Sequence, residues 1–226
     1  MHDREVTDPV REYLRDVFTA DTRGFEPARA SLAGLRAQLD AAPSPRYEAL
    51  AAWRLLASNS LRAQNPSGRA AWDRANGLLA QALEADEAPS LALATRLHTA
   101  LGTEDAALRT VRIFAADERY LDPEDVPALV RELDMALARA HDALEAAFRA
   151  YVGVVTIHPF VNGNGRTARL VADYVLMKDA WLPLCFASPV ASHVARTYGG
   201  VARDVTTSFE VFAEGIANAY RAVLKT

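Results

Sequence analysis

From Val126 onward, apolar residues return at helical spacing: Leu129, Val130, Leu133, Leu137, Ala140, Leu144, Phe148 and Tyr151 fall on one face, and Val154-Val155-Thr156-Ile157 closes the run. A face that long has to be buried along its whole length, so the chain must build other helices around it. Asp122-Pro123-Glu124-Asp125 supplies a start: a cap, a first-turn proline and two carboxylates at the positive end of the dipole. The spacing therefore predicts one long central helix, and that helix delivers His158.

Most of the remaining sequence carries the same period. Asp8-Pro9 opens a helix with Val10, Tyr13, Leu14, Val17 and Phe18 on one face. Leu32, Leu35 and Leu39 mark a second, closed by Ala-Pro-Ser-Pro at 42–45. Ser44-Pro45 can start a third, carrying Leu50, Trp53, Ala57 and Leu61, which Asn65-Pro66-Ser67-Gly68 breaks. Trp72, Ala75, Leu79 and Leu83 mark a fourth, and Leu91–Leu101 a fifth. Helix resumes at Thr167 with Leu170, Val171, Tyr174 and Leu176. A last one over Ser208–Leu224 places Phe209, Phe212, Ile216, Tyr220 and Val223 in the core. The period fails only between Gly102 and Asp122, where Arg109-Thr110-Val111-Arg112-Ile113-Phe114 alternates polar and apolar and favours a short strand or hairpin. The expected fold class is mainly all-α, a helical bundle with a short β-hairpin.

Half of the 226 residues are apolar, enough for a real core. A net charge of −4 without a Lys/Arg block argues against nucleic acid as a partner. The one cysteine, Cys185, follows Trp181-Leu182-Pro183-Leu184 and reads as a small buried apolar residue in a reducing compartment. The first residues, Met-His-Asp-Arg-Glu, lack the apolar core of a signal peptide, and no apolar run is long enough to span a membrane. The expectation is a cytoplasmic protein, with secretion as an effector left open, and no membrane partner. His2, His141 and His193 form no metal-ligand spacing, and His98 reads as a structural histidine near the core edge.

Residues 158–169 read His-Pro-Phe-Val-Asn-Gly-Asn-Gly-Arg-Thr-Ala-Arg. A histidine can exchange a proton near neutral pH. Gly163 and Gly165 let backbone N–H groups approach a ligand closely. A helix starting there would aim its free N–H groups and positive dipole end at an anion. Arg166 and Arg169, three apart, share a face and could clamp a polyphosphate. Base, anion cradle and charge clamp suit phosphoryl or nucleotidyl transfer, with Phe160 as a packing anchor and Pro159 stiffening the exit from the preceding helix.

This run resembles the Fic family signature, His-Pro-Phe-x-(Asp/Glu)-Gly-Asn-Gly-Arg-x-x-Arg, and departs from it at Asn162, where the family carries a carboxylate. The resemblance implies a Fic-type core over 55–185, with a flap at 102–122 and the motif at 158–169. It leaves 1–54 as an N-terminal helical extension and 186–226 as C-terminal helices on the core. It implies a protein adenylyltransferase that moves AMP from ATP to a Ser, Thr or Tyr hydroxyl of a protein target. His158 would be the general base. Gly163, Asn164 and Gly165 would hold the α- and β-phosphates, Arg166 the β-phosphate and Arg169 the γ-phosphate. Thr110, Val111 and Arg112 would lie in the flap that holds the target by strand addition. The family's carboxylate binds magnesium, so Asn162 implies a weakened site for magnesium or manganese. The alternatives are a nucleotide-binding regulatory module without catalysis, or a transferase using another nucleotide or phosphate donor. Upstream, Ser60-Leu61-Arg62-Ala63-Gln64-Asn65 resembles the family's inhibitory motif, Ser/Thr-x-x-x-Glu-Gly/Asn. In relatives its glutamate pairs with the second motif arginine, here Arg169. Gln64 cannot supply that charge-assisted pair, so the expected brake is weak.

Overall fold

The computed structural model describes residues 9–42, 66–102, 107–115, 118–186 and 204–224. The expected third helix and the Ser60, Gln64 and Asn65 motif lie outside them. Among the described residues the order is α1 (Pro9–Thr19), a 3-10 turn (Thr22–Gly24), α2 (Glu26–Asp40), α3 (Pro66–Glu84) and α4 (Leu91–Ala100). Then follow β1 (Phe114–Ala115), β2 (Glu118–Arg119), α5 (Val126–Ala138), α6 (Ala143–Ile157), α7 (Asn164–Lys178) and α8 (Val205–Leu224).

Helix α6 is the centre. Every residue from Leu144 to Ile157 is buried, so the helix is surrounded on all sides, and its two charged residues, Glu145 and Arg149, pair with each other inside. Helix α7 packs most extensively against it; α1 and α5 cover other sides, α3 and α4 lie on α7, and α8 packs on α2. Phe148 bridges α6 to Phe209 and Phe212 of α8 in edge contacts, with ring centroids 5.3 and 5.7 Å apart. Cys185 is buried beside Ala219 and Val223, as its apolar neighbours imply. No helix among the described residues is long and apolar enough to cross a membrane.

Three local expectations are corrected. The long helix expected from 126 to 157 is two helices. Asp142 adopts an extended conformation (φ −156°, ψ 175°) and caps α6 by accepting from Glu145 N at 3.0 Å. Arg149, four residues after Glu145 on α6, donates from Nη1 to Ala136 O at 2.7 Å and so satisfies the end of α5. The signal was present: Asp-x-x-Glu at 142–145 is a helix start inside an unbroken apolar pattern. Helix α5 itself starts at Val126, behind a turn over 123–125, instead of at the Asp122 cap.

The strand expected over Arg109–Phe114 is also absent as drawn. Residues 109–113 have no regular structure, and the only pairing among the described residues is Phe114 with Arg119 and Ala115 with Glu118. Alternation misled because Arg109 is the buried residue and Val111, at 52% exposure, the outward one. Finally, helix resumes at Asn164, three residues before Thr167, since Gly163 supplies the left-handed cap that lets it begin there.

Candidate active site

Helix α6 stops at His158, which takes the left-handed conformation (φ 53°, ψ 59°) while its N–H still donates to Val154 O at 3.1 Å. A residue with a Cβ gives up about 1 kcal/mol or more there, so the surroundings must hold it. They do so through Arg109, whose Nε donates to His158 O at 2.7 Å. His158 Nδ1 lies 3.3 Å from Val155 O. A carbonyl only accepts, so in the neutral ring Nδ1 carries the proton and Nε2 the lone pair. The Tyr120 ring packs on the imidazole with centroids 4.1 Å apart. The result is a half-buried histidine in one orientation with a basic Nε2.

The loop from His158 to Gly163 is built around a buried Phe160. Asn164 Oδ1 accepts from Phe160 N at 2.9 Å and Nδ2 donates to Phe160 O at 2.7 Å, so the carboxamide is committed to the loop backbone. Beneath it, His98 of α4 stacks on the Phe160 ring, 3.9 Å between centroids. His98 Nδ1 also lies 3.1 Å from Thr167 Oγ1, which donates to Gly163 O at 3.2 Å. His98 is thus structural, as expected, but it is fully buried instead of at the core edge, and it supports the motif directly.

Gly163 (φ 74°, ψ −1°) is the N-cap residue of helix α7, which has no side-chain cap. The N–H groups of Arg166 and Thr167 donate to Gly163 O. Those of Asn164 and Gly165 precede any carbonyl the helix can offer them. Around Gly165 a Cβ would meet nothing within 4 Å, so the first turn is open beside it. Arg166 and Arg169 are half-buried on the first two turns. The chemistry this permits is capture of an anion at the helix start, with a proton acceptor on the preceding helix's last residue.

Asn162 is exposed in the loop, next to the exposed Val161. No carboxylate occurs anywhere in 158–169, so the donor set does not fit a magnesium ion held by protein carboxylates. Among the described residues, one group of three could offer metal ligands: Asp21, His141 and Glu145. It sits at the opposite end of α6, about 20 Å along the helix from His158. It is also already neutralised, with Arg149 Nη2 2.8 Å from Glu145 and Arg23 Nη2 2.8 Å from Asp21. The Arg23 guanidinium holds the Asp21 carboxyl well below the usual carboxylate range.

Thr110, Val111 and Arg112 are exposed, and Arg112 pairs with Asp122 at 3.0 Å. They border the motif because Arg109 N donates to Pro159 O at 2.8 Å. Arg109 and Tyr120 are the neighbours of His158 that sequence reasoning missed. Neither has a local signal: an arginine in an alternating stretch reads as outward, and only the packed structure turns it in.

Comparison with known proteins agrees with the helical fold. Residues 86–176 match the Fic/DOC family model. A protein adenylyltransferase, fic-1, of Caenorhabditis briggsae is 32% identical over 85 residues, which are 36% of this chain and 17% of that protein. The chain therefore spans less than a fifth of that relative. A Fic family protein from Desulfovibrio desulfuricans superposes with a TM-score of 0.61 at 18% identity, covering 89% of this chain and 74% of its own. An IbpA Fic domain in complex with adenylylated Cdc42 gives 0.61 at 13% identity, covering 94% and 75%. At those identities the structures establish the fold alone.

Proposed function

We propose that this chain, whose residues 86–176 match the Fic/DOC family model, is a protein adenylyltransferase, with ATP as its donor and a hydroxyl-bearing protein as its target. The observation that carries the reading is the pairing of His158 with the start of α7: a basic Nε2 fixed by the Nδ1–Val155 contact, beside a helix N-terminus without a side-chain cap. In this reading the first-turn N–H groups and the arginines Arg166 and Arg169 hold the polyphosphate. The target hydroxyl gives its proton to His158 Nε2 as its oxygen bonds to the α-phosphorus. The bond from that phosphorus to the bridging oxygen breaks, and pyrophosphate leaves. Most of the rate would come from positioning and charge stabilisation.

In this reading Asn164 offers the nucleotide its backbone N–H, while its side chain supports the loop. With both ends of its amide on Phe160, it shapes the cradle, leaving phosphate contact to backbone groups and arginines. Any dication would be held by the nucleotide's own phosphates, with at most the neutral oxygen of Asn162 added from the loop. The three flap residues, Thr110, Val111 and Arg112, are proposed to meet the target. The proteins of known activity support this reading as relatives only: the worm protein is a protein adenylyltransferase, and the IbpA domain is seen in complex with adenylylated Cdc42.

A second reading has its own support. The missing carboxylate favours a module that binds nucleotide without transferring it. Incubation with α-labelled ATP, together with a calorimetric measure of ATP binding, separates the two. Covalent label in wild type that vanishes in His158→Ala, with ATP still bound by both, supports transfer. ATP binding without label in wild type and in Asn162→Asp would leave only the binding module.

A further inference from the structure

Arg109 is 2% exposed, while Thr110, Val111 and Arg112 beside it face solvent. A guanidinium that deep is costly unless its N–H groups find acceptors. Its nitrogens donate to main-chain carbonyls. Nε reaches His158 O at 2.7 Å, Nη1 reaches Val111 O at 3.1 Å, and Nη2 reaches Leu121 O at 2.6 Å and Ile157 O at 3.5 Å. Its own N–H adds a bond to Pro159 O at 2.8 Å.

These acceptors fall into two groups. Ile157 and His158 end α6, where carbonyls lack intrahelical donors and the dipole is negative, so a cation there is stabilising. Its bond to His158 O also fixes the peptide that follows His158, and with it the left-handed backbone from which the imidazole projects. Val111 and Leu121 flank β1 and β2 on either side. One side chain therefore closes the base of that loop and tethers it to the residue read as the base.

We propose that Arg109 is a positioning residue, whose side-chain hydrogen bonds to His158 O, Val111 O and Leu121 O lock His158 in its left-handed conformation and keep the 111–121 loop in register with it. The catalytic half rests on His158 acting as the base; the structural half does not.

The test compares wild type, Arg109→Lys and Arg109→Gln as full chains with ¹⁵N-labelled histidine. Lysine keeps the charge but not the planar fork. Expected are folded variants, ATP affinity within about twofold, and a kcat for self-labelling down about tenfold in Arg109→Lys and about a hundredfold in Arg109→Gln. The His158 ring signals should move from one Nδ1–H tautomer toward a mixture. A lower melting temperature with unchanged kcat and unchanged ring signals would overturn the proposal. If Arg109→Gln fails to fold, Arg109→Lys decides by the same readouts. Should wild type transfer no AMP at all, the adenylyltransferase reading fails by itself. The ring spectrum then still decides: a wild-type spectrum in Arg109→Lys refutes the positioning role and a mixed one upholds it.

Discussion

His98 lies flat on Phe160, with ring planes within 9° of parallel and centroids 3.9 Å apart. A histidine from α4 thus forms the floor under a loop some sixty positions later in the chain. Asn164 clamps the same loop through both backbone polar groups of Phe160. Between them the loop is held before any ligand arrives, so little ordering would remain to be done on binding.

The Asn164 clamp predicts an asymmetry between two small changes. Asn164→Ala orphans a buried N–H and a buried carbonyl. Asn164→Asp keeps an acceptor for Phe160 N but sets a carboxylate oxygen against Phe160 O. Both should cost about 1–3 kcal/mol, with the aspartate at least as harmful. Thermal and denaturant melts read this, and a wild-type midpoint in either variant would rule out the clamp.

Gly165 should behave in the opposite way. A Cβ there meets nothing within 4 Å, so Gly165→Ala is expected to fold normally and to gain up to about 1 kcal/mol from helix propensity. The same methyl enters the open space beside the first-turn N–H groups, so ATP affinity should drop about tenfold. Unchanged affinity in a stable variant would place the nucleotide elsewhere.

At Asn162 a charge is missing, and the exposed position tolerates its return. Asn162→Asp should raise labelling about tenfold in magnesium and leave it unchanged in chelator, because a carboxylate is the better ligand for a hard cation. Equal rates with and without metal in both proteins would show that arginines alone manage the phosphate charge.

Stability of the last helix should depend on pH through Asp204. Its carboxylate accepts from Thr207 N at 2.9 Å, Thr206 N at 3.2 Å and Thr207 Oγ1 at 2.8 Å. These donors, the Thr207 amide first, hold its pKa below the ordinary 3.8. A depressed folded value means the stabilisation is present above the unfolded value and is lost as pH falls through the folded one. Asp204→Ala should therefore cost about 1 kcal/mol at pH 7, and less as acid protonates the wild-type cap. A constant difference down to pH 2 would contradict the cap.

Much of the helical layout was legible because burial leaves a period. Tyr13, Leu14, Val17 and Phe18 on α1, and Phe209, Phe212, Ile216 and Tyr220 on α8, are spaced as they are because each set faces one core. The misjudged boundary at 139–142 failed for the same reason read backwards. Apolar residues continued across it, and a hydrophobic pattern does not register a change of helix axis; the Asp142 cap does.

By itself the sequence determined which chemical groups the site contains. The histidine, the two glycines and the two arginines stand within a dozen positions, and their spacing follows from a helix end meeting a helix start, which is local geometry. Tertiary structure alone decided how those groups are held. Arg109, Tyr120 and His98 reach the loop from segments 38 to 60 positions before His158, and the direction in which Asn164 turns its amide depends on the buried Phe160 backbone. Such contacts are set by desolvation: a buried guanidinium or carboxamide must find acceptors wherever the packed chain offers them. Neighbours in sequence carry no record of that requirement.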